Sequence, residues 1–309
     1  MESSLKLDGV TKRFGAVTAV DAVSLDIPKG SIYGFLGQNG AGKTTTIRMI
    51  MSIIYPDEGS IQVLGSSSSE AVKDRLGYLP EEKGLYKKMT AGEILTYFGR
   101  LKGMGRGDAK RRAKELLQQY GLGEWVDQKC ETLSKGMGQK VQVLGTLIHD
   151  PELVILDEPF SGLDPVNVEL MRDIILSMKR QGRTVIFSTH MMTQAEQLCD
   201  SIFLIHKGRK VLDGSLAEVK ASGDRGILID YDGDGATLQG LPGVARVNDS
   251  GKQAEIYLNE GTDPQEILRR LVDSKLTVRR FDLREPSLHE VFVRAVGAES
   301  TLEASADAR

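Results

Sequence analysis

Cysteine is nearly missing from this chain, and so are long apolar runs and any excess of basic charge. Its 309 residues hold two cysteines, Cys130 and Cys199, far apart and without the spacing of metal ligands. They are expected as free thiols in a reducing compartment. The net charge of -3 leaves no basic footprint, which argues against binding nucleic acid through the protein as a whole. The first residues, "MESSLKLDG", contain no apolar signal core, and stretches such as "MIMSIIY" are far too short to span a bilayer. No internal repeat is present. What remains is an ordinary globular composition, 40% hydrophobic and 27% charged, long enough for about two domains.

The order of patterns gives the organisation. Two alternating segments, "LKLDGVTKRF" and "AVDAVSLDI", read as strands closed by the turn signal "PKG". A buried strand, "SIYGFLG", then runs through glycines into a helix near Lys43, and "GSIQVLG" and "RLGYLP" add short strands. From Ala91 the period becomes helical, with Ile94, Phe98 and Leu101 on one face. A second helix, capped by Asp108 and stopped by Gly121, carries Ala113, Leu116, Leu117 and Tyr120. Strand and helix alternate again from "ELVILD" through "TVIFSTH" to a hairpin turning at Lys207 and Gly208. Continuous apolar strands alternating with helices indicate an α/β fold whose sheet is covered on both faces. The helix from Asp164 to Gly182 has an N-cap, a proline in its first turn and a glycine stop. These elements predict a first domain at 1–220 with a helical insertion at about 88–150. Residues 221–226 read as a linker, 226–297 as a small α+β domain, and 298–309 as a mobile tail.

Three stretches carry chemistry. "GQNGAGKTT" has a lysine and a hydroxyl at the end of a glycine-rich loop between strand and helix. Gly37, Asn39, Gly40, Ala41, Gly42, Lys43, Thr44 and Thr45 form a candidate phosphate cradle. The glycines let backbone N–H groups surround phosphate oxygens, Lys43 supplies charge, and Thr44 offers a hydroxyl to Mg²⁺. "LVILDEPF" ends a buried strand on two carboxylates. Beside such a cradle Asp157 suits Mg²⁺ and Glu158 suits the water that attacks a γ-phosphate, although the same pair can also cap a strand-to-turn junction. "LSKGMGQK", at 133–140, is a third glycine- and lysine-containing loop before a helix, able to bind an anion with no anion nearby in sequence.

In this order the motifs resemble those of the ATP-binding-cassette (ABC) ATPases, the motor subunits of ABC transporters, over about the first 220 residues. The resemblance implies a P-loop NTPase core with an antiparallel β subdomain and a helical insertion, taking ATP and Mg²⁺. It also implies a head-to-tail, ATP-dependent homodimer. "LSKGM" is similar to the family's signature loop, usually LSGGQ, so that Ser134 and the N–H of Gly136 would bind the γ-phosphate held by the partner's P-loop. "SGLD" resembles the D-loop and brings in Asp164; His190 resembles the switch histidine; Phe14 stands where an aromatic stacks on adenine. Glu81 lies where the family has a glutamine that helps to hold the metal, giving Thr44, Glu81 and Asp157 as the implied metal set. Lys135 and Met137 also depart from the usual signature; the lysine can face the phosphate or solvent.

The ending "PSLHEVFVRAVG" resembles the domain appended to ATPases that pair with separately encoded type-two permeases. That implies an export motor, cytoplasmic and held at the inner face of the membrane through an integral-membrane permease, with no nucleic-acid partner. Leu85 and Tyr86, apolar in a charged loop, are candidate anchors for that permease. The alternative is a soluble ATPase of the same family outside transport, whose usual second cassette or long coiled coil is not seen here. A regulatory module without turnover is opposed by Glu158 and His190 both being present.

Overall fold

The computed structural model describes residues 2–82, 84–224, 226–259, 261–274 and 276–306, with side chains as far as Gly297. It divides into two units, Met1–Gly214 and Ser215–Arg309. The first begins with β1 (Ser3–Phe14) and β2 (Val17–Pro28), an antiparallel pair turning at Gly15 so that Phe14 sits at its tip. After β3 (Ile32–Leu36) and α1 (Lys43–Ile50), β4 (Glu58–Val63) pairs with the free side of β1.

Next in the chain come β5 (Leu76–Leu79) and three helices, α2 (Ala91–Leu101), α3 (Arg106–Gln119) and α4 (Lys135–Leu147). β6 (Leu153–Leu156), α5 (Pro165–Arg180), β7 (Thr184–Thr189), α6 (Met192–Leu198), β8 (Ser201–His206) and β9 (Arg209–Ser215) follow. The main sheet has the order β5-β6-β7-β3-β8-β9, with its first five strands parallel. Every residue of β3, β6 and β7 is buried, as expected for strands covered on both faces. β9 returns through Lys207 and Gly208, both at positive φ, the two-residue turn that matches strand twist. The buried apolar residues of β1 and β2 share one core with Phe35, Ile47, Ile50 and Phe203, in which the Phe35 and Phe203 rings lie 5.2 Å apart.

Two expectations for the helical insertion need correcting. Asp108 does not cap α3. The helix starts one turn earlier, at Gly105, whose carbonyl accepts from Ala109 N at 2.9 Å. Asp108 lies in the first turn, where a carboxylate is favoured by the helix dipole, and pairs with Arg111 at 2.8 Å. Leu101 is not on the buried face. That face is Ala91, Ile94, Leu95 and Gly99, while Leu101 ends the helix and is 65% exposed.

The second unit opens with α7 (Leu216–Ala221), a short helix with a Ser215/Glu218 capping box that the pattern reading does not anticipate. Then come β10 (Gly226–Asp232), α8 (Ala236–Gln239), β11 (Val244–Asp249), β12 (Gln253–Leu258), α9 (Pro264–Asp273), β13 (Thr277–Arg284) and α10 (Leu288–Ala306). The strands form an antiparallel sheet in the order β11-β12-β10-β13. Ile227, Ile229, Tyr231 and Ile256 pack under Leu238, Ile267 and Leu271. Leu288, Val291 and Phe292 of α10 are buried. That helix continues through the good helix formers of "AESTLEASA", part of the segment read as a tail; 307–309 lie outside the described residues.

The two leucines of α2 separate core from surface. Leu95→Ala is expected to cost about 2–5 kcal/mol, and Leu101→Ala within about 0.5 kcal/mol. Urea unfolding followed through Trp125, the one tryptophan and a neighbour of α3, checks both.

Candidate active site

Strand order builds the site. β7 lies between β3 and β6, all parallel, so the chain leaves Leu36, Thr189 and Leu156 at the same end of the sheet. Ligands of open α/β sheets bind beyond these carboxyl ends. From β3 the loop 37–42 enters α1, with Gly40 and Gly42 at φ of 78° and 110°. Gly37 is required by contact: a β-carbon there would lie 2.4 Å from the Ile205 carbonyl oxygen. Ala41 is buried, Asn39 and Gly40 are exposed at the loop tip, and Thr45 is half-buried in the first turn of α1. The loop is held from below, since Gly208 N donates to Ala41 O at 2.9 Å and Gly208 O accepts from Asp21 N at 2.9 Å.

Lys43 is 6% exposed, and its ammonium donates to the Gly37 carbonyl at 2.8 Å and lies 3.4 Å from Glu158 Oε1. Thr44 Oγ1 donates to Asp157 Oδ1 at 3.3 Å. Glu158 Oε2 is 3.1 Å from His190 Nδ1 on its other side. The backbone of Glu158 is left-handed, φ 47°, an uncommon conformation for a side chain of this kind. Ser188 explains how the two acids are placed. Fully buried in β7, its hydroxyl donates to Asp157 Oδ1 and accepts from Glu158 N at 2.8 Å. Burial pushes the Asp157 carboxyl up, opposed by the Ser188 and Thr44 hydrogen bonds. Asp157 Oδ2 is buried without a hydrogen-bond partner among the described residues. A buried carboxylate oxygen in need of a partner, beside a threonine hydroxyl, is a donor set that fits Mg²⁺. Glu81 is exposed, two residues past Leu79, whose carbonyl accepts from Asp157 N at 2.8 Å. Phe14 is 51% exposed, with the Lys12 ammonium 5.6 Å from its ring.

A second cluster forms around α4. Ser134 is the N-cap, its hydroxyl accepting from Met137 N at 3.2 Å. A β-carbon on Gly136 would lie 2.2 Å from Asn167, whose N–H donates to Asp164 Oδ1 at 3.0 Å. That bond holds the Asp164 carboxyl below its usual range. A β-carbon on Gly162 would lie 2.3 Å from Lys135 Nζ, so the lysine folds toward the 161–164 segment. Gln139, 2% exposed, donates to Pro159 O. Among the described residues no hydrogen bond or ion pair joins Ser134 or Gly136 to Lys43 or Thr44. Ser188, Gln139 and Asn167 are the residues that sequence reasoning missed; polar side chains at the end of an apolar strand and inside an apolar helix were the available signal.

The family model "ABC transporter" matches residues 20–161, and "ATP-binding protein DrrA1-3-like, C-terminal domain" matches 214–296. An uncharacterized ABC transporter ATP-binding protein of Bacillus subtilis, YhaQ, is 42% identical over 95% of this chain and 99% of its own length. The chain belongs to the ABC transporter ATP-binding proteins. It is similar to the daunorubicin/doxorubicin resistance ATP-binding protein DrrA of Streptomyces peucetius, 32% identical over 95% of this chain and 92% of that one. The solved ATP-binding subunit of an ABC transporter superposes with a TM-score of 0.64 at 30% identity, over 71% of this chain and 92% of that one. The protein is therefore an ATP-binding, ATP-hydrolysing subunit of an ABC transporter. Among the described residues no helix is long and apolar enough to cross a membrane.

The loop glycines are separable. Gly37→Ala should weaken ATP binding by at least about a hundredfold, because the strand carbonyl of Ile205 cannot yield and the loop must move. Gly40→Ala, with open space but positive φ, should cost about tenfold. Titration with a fluorescent ATP analogue measures both.

Proposed function

We propose that this chain drives export through a separately encoded permease, working as a head-to-tail homodimer at the inner face of the membrane. Each ATP lies between the P-loop of one copy and the Ser134 loop of the other. The observation that carries this reading is the partition of the two clusters. Lys43, Thr44, Asp157, Glu158 and His190 converge at one end of the sheet, whereas among the described residues no hydrogen bond or ion pair joins Ser134 or Gly136 to the Lys43–Thr44 turn. An anion site at the start of α4 is thus left for a second copy to supply with phosphate. The resistance and Nod factor export proteins among the relatives support the direction of transport.

In this reading Lys43 leaves Glu158 for the phosphate oxygens when ATP arrives. Glu158, steadied by His190, then takes the proton of a water aligned with the γ-phosphorus as the bond to the leaving ADP breaks. Thr44 and Asp157, with Glu81 from the loop after β5, would hold Mg²⁺, whose contribution is to neutralise charge on the β- and γ-phosphates. Phe14 covers the adenine, and the remaining loop residues Asn39 to Thr45 surround the phosphates. Tyr86, 58% exposed, faces the permease, while Leu85 lies half-buried near Gly138. Residues 226–297 carry no phosphate-handling motif and serve assembly or regulation.

Glu158→Gln keeps shape but removes the base. Turnover is expected to drop by at least about a hundredfold, with ATP binding retained and an ATP-bound dimer seen by gel filtration. Near-normal turnover would remove Glu158 from the role. A mixture of Ser134→Arg and Lys43→Ala chains tests sharing: both defects fall in one site of the heterodimer, leaving the other site intact. ATP-driven dimerisation and turnover should partly recover in the mixture; no recovery, with both chains folded, counts against a shared site.

A further inference from the structure

The helical insertion carries a groove that the nucleotide chemistry does not use. It has a volume of about 1250 Å³ and runs between α2 and α3. Tyr97, Arg100 and Leu101 line one side, and Arg106, Lys110 and Lys114 the other. The last three recur every fourth residue, so they stand in a row on one helix face, spanning about 12 Å. Among the described residues none of the four cations has an ion-pair partner, although their neighbours Arg111 and Arg112 pair with Asp108 and Glu115. Of the groove's two acids, Glu93 is engaged by Thr90 N in a capping box at 2.8 Å, leaving Asp127. Apolar surface accompanies the charge: Tyr97 is 38% and Leu101 65% exposed.

We propose that this groove seats the anionic phospholipid headgroups of the bilayer beside the permease. The inference rests on membership of a membrane-transporter family and is independent of the shared-site reading above. Charge complementarity supports it, since the cytoplasmic leaflet is anionic and each lysine or arginine near it adds to binding. Tyrosine and leucine beside the cations suit the interfacial zone, where an aromatic ring and an aliphatic side chain gain together. Long, unpaired side chains with mobile cationic ends adapt to an array of phosphates that itself moves.

The full chain should sediment with vesicles containing about one-third phosphatidylglycerol in phosphatidylcholine, and not with phosphatidylcholine alone, losing that binding as salt rises. Arg106→Gln/Lys110→Gln/Lys114→Gln is expected to weaken vesicle binding by about a hundredfold while ATP binding is unchanged. Arg111→Gln/Arg112→Gln/Lys129→Gln, with the same change in net charge, should bind vesicles like wild type. The proposal falls if wild type does not prefer the anionic vesicles, or if the two triple variants behave alike. It falls too if the first variant loses the permease while wild type ignores lipid, an outcome that would assign the groove to an acidic protein segment.

Discussion

A single buried hydroxyl sets the geometry on which the rest of the site depends. Two carboxylates stand side by side at the end of β6, where their mutual repulsion and desolvation would ordinarily drive them apart or toward solvent. Ser188 prevents this by donating to Asp157 while receiving the Glu158 N–H. One acid is thereby turned toward Thr44 and the other toward Lys43 and His190. That division is possible because β7 lies between β3 and β6, so the serine reaches the acids from the adjacent strand. The left-handed backbone at Glu158 belongs to the same arrangement, a local cost borne where the chain must aim a side chain.

The α4 cluster has a similar logic in softer form. Ser134 is occupied as a helix cap, so its oxygen is fixed in direction. Asn167 fills the space beside Gly136 and is in turn held by Asp164, while Gln139 reaches the carbonyl of Pro159, the residue after Glu158. The first turns of α4 are thus joined to the carboxylate end of β6 by few bonds. Lys135, the departure from the usual signature, adds to this connection by folding onto the 161–164 segment.

The alternating α/β order and the phosphate loop were legible because both rest on local rules: continuous apolar runs for buried strands, glycines where positive φ or close approach is needed. Asp164 as a cap with Pro165 behind it is local in the same sense. The start of α3 is not legible in the pattern because Asp108 and Gly105 both satisfy cap preferences, and only the backbone shows which one begins the helix. Leu101 was misassigned because period alone does not know where α2 ends. The role of Ser188, as distinct from its polarity in an apolar strand, is not legible for a different reason. Its importance comes from a strand neighbour thirty-one residues away in sequence, and pairing between strands is not written in the pattern of either.

Gly208 shows how the phosphate loop is held in the native chain. It is the buried second residue of a hairpin turn whose first residue, Lys207, is exposed, and its backbone N–H and C=O tie that turn to Ala41 and to Asp21. A β-carbon there would lie 2.9 Å from the Ala19 carbonyl oxygen, so the fit leaves no slack. The turn is a buckle. Residues that look like a tolerant surface loop, remote from the loop in sequence, fix the height at which backbone N–H groups can meet an anion. Lengthening the hairpin would loosen the loop without touching a single residue of it.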